Sequence, residues 1–312
     1  MRYIVKKVLM MALTLIVVSL CVFLSFNIIP GDPVTRRLGT EATPELIEQM
    51  REQMGLNEPL LVRYRDWALS MLKGDMGTSY TYSMPVSEIL ADKIPITVTL
   101  ALMSFTLMVL LSLPIGIYTA KHAGSIIDRG IVVANQIIMA IPPFFSGILL
   151  SLVFGMIFKL FTPGGFVSYK KDMGEFIHYL IFPAIAIALP KASMCIKLLR
   201  SSVIDEAVKD YTRTAYSRGN STNGVLYKHV LKNAMIPVIT FMGMALADMV
   251  AGSIVIEQVF GIPGISRILM TSISNRDYPV VEAIIMMIAV IVIVANLAVD
   301  IIYRIVDPRI EE

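Results

Sequence analysis

The side chains that could do chemistry in this sequence are scattered, and their spacing argues against most reaction types. His122, His178 and His229 fall in three separate segments, so no metal-ligand cluster is expected. Cys21 and Cys195 sit in different apolar runs without Cys-x-x-Cys spacing, which suits small core residues better than a disulfide or a structural zinc site. A phosphate-cradling loop needs glycines that free backbone N–H groups and a lysine that reaches the terminal phosphates. No Gly-Lys pair occurs in the chain, and no Ser/His/Asp grouping can be placed in one pocket. No catalytic residue, no metal site and no bound cofactor are therefore expected.

What remains is a set of polar residues inside apolar stretches. An ionisable group in a membrane-spanning helix is costly unless it faces a partner or a watery path. Asp248, near the middle of 236–256, is thus a candidate for a translocation pathway, or for an interhelical hydrogen bond or salt bridge. Gly243, Ala247 and Ala251 recur beside it at the four-residue spacing that lets helices approach closely. Asn135, Gln136 and Lys191 could line the same path or satisfy backbone groups near prolines, while Asn296 and Asp300, four apart, read as structural. The 21 methionines suit gap-filling more than a peptide-binding surface.

The elements that would position these groups are helices in a bilayer. Of 312 residues, 56% are hydrophobic and 16% charged, and the mean hydropathy is +0.72. A helix needs roughly 20 apolar residues to cross about 30 Å of hydrocarbon. Six stretches qualify, at 8–29, 95–119, 131–157, 177–198, 236–256 and 280–303, the fourth interrupted by Pro183 and Pro190. The first is too long for a cleaved signal and lacks a small-x-small site before Pro30-Gly31-Asp32-Pro33. Residues 191–232 hold eight basic side chains against three acids, whereas 30–94 hold seven against ten. The positive-inside bias then makes 191–232 cytoplasmic, 30–94 external, and both termini cytoplasmic. Lys170 and Lys171 fall on the outer side in this topology. A net charge of +3 does not suggest nucleic acid; lipid is the expected surroundings.

Two polar segments have their own organisation. In 30–94, Thr43 as N-cap, Pro44 in the first turn and Gly55 near the end mark one helix, and Leu61–Leu69 reads as a second, amphipathic one. Together they predict a small outer cap. In 201–235, Asp205 to Arg218 contains no Pro or Gly and predicts one helix ended by Gly219 in the left-handed conformation. A second short helix with Leu226, Val230 and Leu231 is expected to stop before Pro237. Such a knob, tied to spans four and five, could be pushed by another protein or rest on anionic lipid.

The run Asp210-Tyr211-Thr212-Arg213-Thr214-Ala215-Tyr216-Ser217-Arg218-Gly219, then His229 to Thr240, resembles the EAA loop of ABC-transporter permeases. Arg213, Thr214, Ala215 and Gly219 stand at the Glu-Ala-Ala and Gly positions, and the departures resemble the dipeptide, oligopeptide and nickel importer branch. Pro30-Gly31-Asp32-Pro33, Gly74 to Ser79, Ile94 to Leu100, Glu257 to Phe260, Pro263-Gly264, Arg276 to Pro279 and Asp307-Pro308-Arg309 are similar to that branch as well. The resemblance implies an all-α, six-helix permease of a bacterial or archaeal cytoplasmic membrane, a single domain over 1–312 of the first, B-type kind. It also implies a second homologous permease, two ATPase subunits that use ATP and Mg, and an extracytoplasmic solute-binding protein. Asp210, Arg213, Thr214, Ala215, Arg218 and Gly219 would dock on an ATPase. Short peptides are the implied solute, nickel or a metal chelate the alternative; a membrane scaffold or sensor that binds partners without transport is the reading from another class.

Overall fold

The computed structural model describes residues 2–28, 34, 43–53 and 55–306, and only the backbone for 2–6, 53 and 298–306. The motif at residues 30–33 and the terminal Asp307-Pro308-Arg309 lie outside the described residues. The described elements are α1 (Arg2–Ile28), α2 (Pro44–Gln53), α3 (Leu60–Leu72), α4 (Val86–Ala91), α5 (Ile94–Lys121), α6 (Ile126–Ala140) and α7 (Pro143–Leu150). They continue with α8 (Met173–Ala207), α9 (Asp210–Ser217), α10 (Thr222–Val225), α11 (Leu231–Phe260), α12 (Ile265–Asn275) and α13 (Tyr278–Val306). Wider π turns extend α7 over Ser151–Ile157 and join α10 to α11 over Leu226–Val230. This is an all-α membrane protein, with no strand among the described residues.

Five segments are long and apolar enough to cross a membrane unbroken: Lys7–Ile28, Val86–Lys121, Met173–Ala207, Thr222–Phe260 and Tyr278–Leu297. The expected third span, 131–157, is instead two helices, Ile126–Ala140 and Pro143–Ile157, bent by 100°. The cause is local: Ile141 precedes Pro142 and Pro142 precedes Pro143, and a residue before proline is driven from the helical region. Ile141 accordingly has ψ 121 and Pro142 ψ 140.

Pro114, Pro183, Pro190 and Pro237 lie inside helices without ending them. The expected 177–198 span is α8, 35 residues that run straight through Pro183 and Pro190. Asp172 caps its start by accepting from the Glu175 amide at 3.0 Å. Pro190 frees the Ala186 carbonyl, toward which the Ser146 hydroxyl reaches at 3.5 Å, the kind of neighbour that lets a spanning helix keep its proline. Pro237 likewise lies inside α11 rather than ahead of it, in a helix whose main packing partner is α8.

Contacts divide the chain into two units, 1–96 with 263–293 and 97–262 with 294–312. In the second, α8 is the centre, packed on α11, α6 and α7. Phe161, Phe182, Tyr179 and Phe260 form an aromatic cluster, with the Phe161 and Phe182 rings stacked at 4.8 Å. The Tyr179 hydroxyl donates to the Phe260 carbonyl at 2.5 Å. In the first unit, α1 and α3 meet through Ser19 and Tyr64, whose hydroxyls are 2.8 Å apart, and through the Phe23 ring, 5.7 Å from Trp67. Asp277, fully buried, accepts from the Ser79 hydroxyl and from the amides of Tyr80 at 2.9 Å and Thr81 at 3.2 Å, clasping the loop ahead of α4 to the start of α13.

Candidate functional site

Asp248 has a specific partner. The Lys191 Nζ donates to its Oδ2 at 2.7 Å, linking α8 to α11. The two side chains are 30% and 63% exposed, so the pair lies on an open face of these spans. On α11 that face continues through exposed Pro237, Met244, Gly252 and Val255, at helical spacing. A charge pair on such a face does not suit hydrocarbon; it suits water or a polar neighbour.

Asn135 and Gln136 are not brought to one surface. Successive helical residues point about 100° apart. Asn135 is buried, on the α6 that packs on α8, while Gln136 is exposed. Asn296 is exposed on α13, and the side chain of Asp300 lies outside the described residues.

The segment between α8 and α11 departs from the single helix expected over Asp205–Arg218. α8 ends at Ala207, Lys209 turns extended with ψ 154, and α9 starts afresh at Asp210. Glu206 explains the break. Its carboxylate takes Lys209 Nζ at 2.6 Å and the Tyr211 hydroxyl at 2.6 Å, and its carbonyl takes the Thr212 hydroxyl at 3.1 Å. The end of α8 is thus satisfied by the turn that leaves it. The Glu206 carboxylate raises the Lys209 ammonium above its usual range, and burial, then the Glu206 bond, pushes the Tyr211 phenol up.

Asp210, Arg213, Thr214 and Arg218 are exposed and share one face of the α9 turn with Ser217. Ala215 does not join them: it is buried with Thr212 on the opposite face, where the Asn220 amide donates to its carbonyl at 2.9 Å. Gly219 has φ +80, as expected of a residue ending a helix. Ser221 then caps α10, accepting from the Gly224 amide at 3.2 Å.

Sequence reasoning missed the roles of two buried carboxylates, Asp128 and Glu257, and of the partly buried Glu206 in this unit's polar framework. Asp128 accepts Arg200 Nε at 2.7 Å, its second nitrogen at 2.8 Å and the Gly124 amide at 2.8 Å. Glu257 accepts the Thr97 hydroxyl at 2.5 Å. Glu206, read only as one acid among three, is the anchor of the turn. The Ser125 cap on the Asp128 amide, at 3.1 Å, was the one local signal available.

Residues 112–312 match the family described as "Binding-protein-dependent transport system inner membrane component", and residues 1–101 match "Binding-prot-dependent transport system membrane comp, N-term". The chain is 38% identical over 312 residues to the oligopeptide transport system permease protein AppB of Bacillus subtilis, with 99% of each chain covered. It is 35% identical to the glutathione transport system permease protein GsiC of Salmonella choleraesuis, again over 99% of each. A probable peptide ABC transporter permease protein, y4tP of Sinorhizobium fredii, is 31% identical over 99% of this chain and 98% of its own.

Proposed function

Because the chain belongs to the family of inner-membrane components of binding-protein-dependent transport systems, we propose that it forms half of the path by which an ATP-driven importer moves short peptides inward. It is a multi-span transport subunit and not an enzyme; a solute-binding protein and ATPases are the partners its family implies. A second homologous permease completes the path, and two ATPase subunits use the ATP and Mg.

The observation that carries the reading is the exposed Lys191–Asp248 pair on the spanning face of α8 and α11. A lipid-facing surface has no use for it, and a water-containing path shared with a second permease does. Gln136 belongs to that path, and Asn135 supports α6 from within. The peptide solute is supported by the names of the AppB, GsiC and y4tP relatives.

The exposed row Asp210, Arg213, Thr214 and Arg218 is the ATPase-docking face, with Ala215 and Gly219 shaping it. Residues 1–312 act as one permease domain in a bacterial or archaeal cytoplasmic membrane, 30–94 as the outer cap and 201–235 as the coupling segment, with both termini inside. Movement of α9 is passed to α8, because Glu206 ties the turn to the end of α8.

The test is ATP-dependent uptake of a labelled dipeptide, and separately of chelated nickel, into vesicles holding this chain with its partner permease, ATPases and binding protein. Dipeptide uptake is the expected result. Nickel uptake alone would keep the mechanism and replace the solute; an assembled complex that moves neither would favour a partner-binding scaffold.

A further inference from the structure

The first span fixes a depth scale. Its apolar part, Lys7–Ile28, is 22 residues long, about 33 Å at 1.5 Å per residue, so it needs nearly its whole length to cross about 30 Å of hydrocarbon. Ser19 and Phe23 stand nine and five residues before Ile28, about 14 and 8 Å inside that end of the span.

The α3 helix meets α1 at this level. The Tyr64 and Ser19 hydroxyls are 2.8 Å apart, and the Tyr64 and Trp67 rings lie 5.5 and 5.7 Å from the Phe23 ring. The contacts advance together, from Ser19 to Phe23 on α1 as from Tyr64 to Trp67 on α3, so the two helices run side by side in the same direction. Leu61, about one turn before Tyr64, therefore lies at least as deep.

Around α3, Tyr64 and Trp67 turn toward α1, and two other faces remain. Arg63, Asp66 and Ser70 line a cavity of about 800 Å³ that Arg51, Glu58 and Asp75 make polar. Leu61, Leu69 and Leu72 form the last face, 78%, 47% and 84% exposed, and no residue of the helix is fully buried. Arg65 borders that row, but its guanidinium is held 2.8 Å from Asp66, on the cavity side.

Two observations say what covers the leucines. Ile16, Val17 and Leu20 of α1 are exposed near the same level, so hydrocarbon already reaches it. The turn ahead of α3, Gly55 to Glu58, is irregular backbone, which at membrane depth must border protein or water, and all four of its residues line the cavity. A charged cavity on one side and a leucine row on the other suit a wall between water and acyl chains.

We propose that α3 is inserted beside the outer half of α1, with Leu61 and Leu69 on lipid acyl chains, Leu72 at their outer edge, and Arg63, Asp66 and Ser70 on the water of the cavity. The outer cap is thereby rooted in the bilayer. The placement does not depend on the solute.

Nitroxide labels test it. Cys21→Ala and Cys195→Ala remove the native thiols, and Leu61→Cys, Leu69→Cys, Leu72→Cys and Ser70→Cys are then labelled one at a time. Each is measured in lipid nanodiscs, as the full chain alone and as the assembled importer. Power saturation compares collisions with oxygen, which concentrates in hydrocarbon, against collisions with water-soluble chromium oxalate. The oxygen-to-chromium ratio should be several times higher at Leu61 and Leu69 than at Ser70. It should fall from Leu61 to Leu72, which is about 16 Å nearer the surface. Leu69 carries the comparison with Ser70 independently of Leu61, so a label that disturbs one position does not decide the result. Equal ratios at Leu61 and Leu72 would mean a helix lying flat in the interface, and a chromium-rich Leu61 a cap standing in water; either overturns the proposal. Leucine labels reached by oxygen in the chain alone but shielded from both reagents in the importer would give this face to a partner subunit and overturn the lipid contact. Uptake does not enter the measurement, so its outcome is separate from that of the transport reading.

Discussion

Lys191 and Asp248, 57 positions apart in sequence, meet at 2.7 Å between α8 and α11, with the aspartate side chain 63% exposed. In water such a pair is worth about 0–1 kcal/mol. An unpaired charge within a spanning helix costs roughly 2.5–3.5 kcal/mol on insertion scales. Each residue therefore makes the other tolerable.

Removing one partner should hurt more than removing both. Lys191→Met leaves Asp248 unpaired and is expected to lower the yield of assembled complex below that of the Lys191→Met/Asp248→Asn double variant. Asp248→Asn, whose amide oxygen can still accept from the Lys191 ammonium, should cut uptake about tenfold while lowering assembly less than Lys191→Met does. Size-exclusion chromatography and uptake on the same preparations separate the effects. Should Asp248→Asn disperse the complex while surviving particles transport normally, the pair is packing and not path.

The spans were legible because an apolar run such as Val8–Ile28 has little choice of environment. Local caps were legible too: Thr43 accepts from the Leu46 amide at 3.3 Å, and Gly219 takes φ +80. Partners were not. Asp248 could be recognised as costly, yet nothing within a few residues names Lys191; Asp128 and Arg200 are 72 apart, and Ser79 and Asp277 are 198 apart. Proline shows both sides of this. The Pro142-Pro143 pair bends the chain by a rule of adjacent residues, whereas Pro183, Pro190 and Pro237 are overruled by packing that only the folded chain contains.

Asp128 and Arg200 should behave as a two-pronged unit. The Asp128 side chain is 2% exposed and holds two of the three guanidinium nitrogens, so Asp128→Ala strands a partly buried charge, at a cost of about 3 kcal/mol. Arg200→Lys keeps the charge and loses the fork, and an intermediate loss is expected. Thermal unfolding in detergent orders the three proteins. A lysine variant as stable as the parent would show that charge alone suffices.

A close helix contact at Gly116 offers a test by compensation. A Cβ placed there would stand 2.8 Å from Leu199 Cδ2, and Leu199 is fully buried. Gly116→Ala should therefore cost about 1–3 kcal/mol by overpacking. Leu199→Ala should cost about 2–5 kcal/mol through the cavity it leaves. Combined, the two should cost less than their sum, since the new methyl enters the space the leucine vacates. Simple additivity of the unfolding midpoints would mean that α5 and α8 do not share this contact.

Gly219 separates backbone from contact. Its φ of +80 is strained for an L-residue, yet a Cβ there meets nothing within 4 Å. Asn, which tolerates the left-handed region, should leave coupling near normal, while Val, branched at Cβ, should pay the full conformational penalty of about 1–2 kcal/mol and shift the turn. Because Arg218 and the row Asp210, Arg213, Thr214 end at this turn, the shift moves the face proposed above to dock an ATPase, without touching the spans. ATP hydrolysis by the complex should then continue in Gly219→Val while uptake falls about tenfold, and Gly219→Asn should keep the two in step. Uptake by the valine variant equal to that of the parent would remove Gly219 from the coupling element.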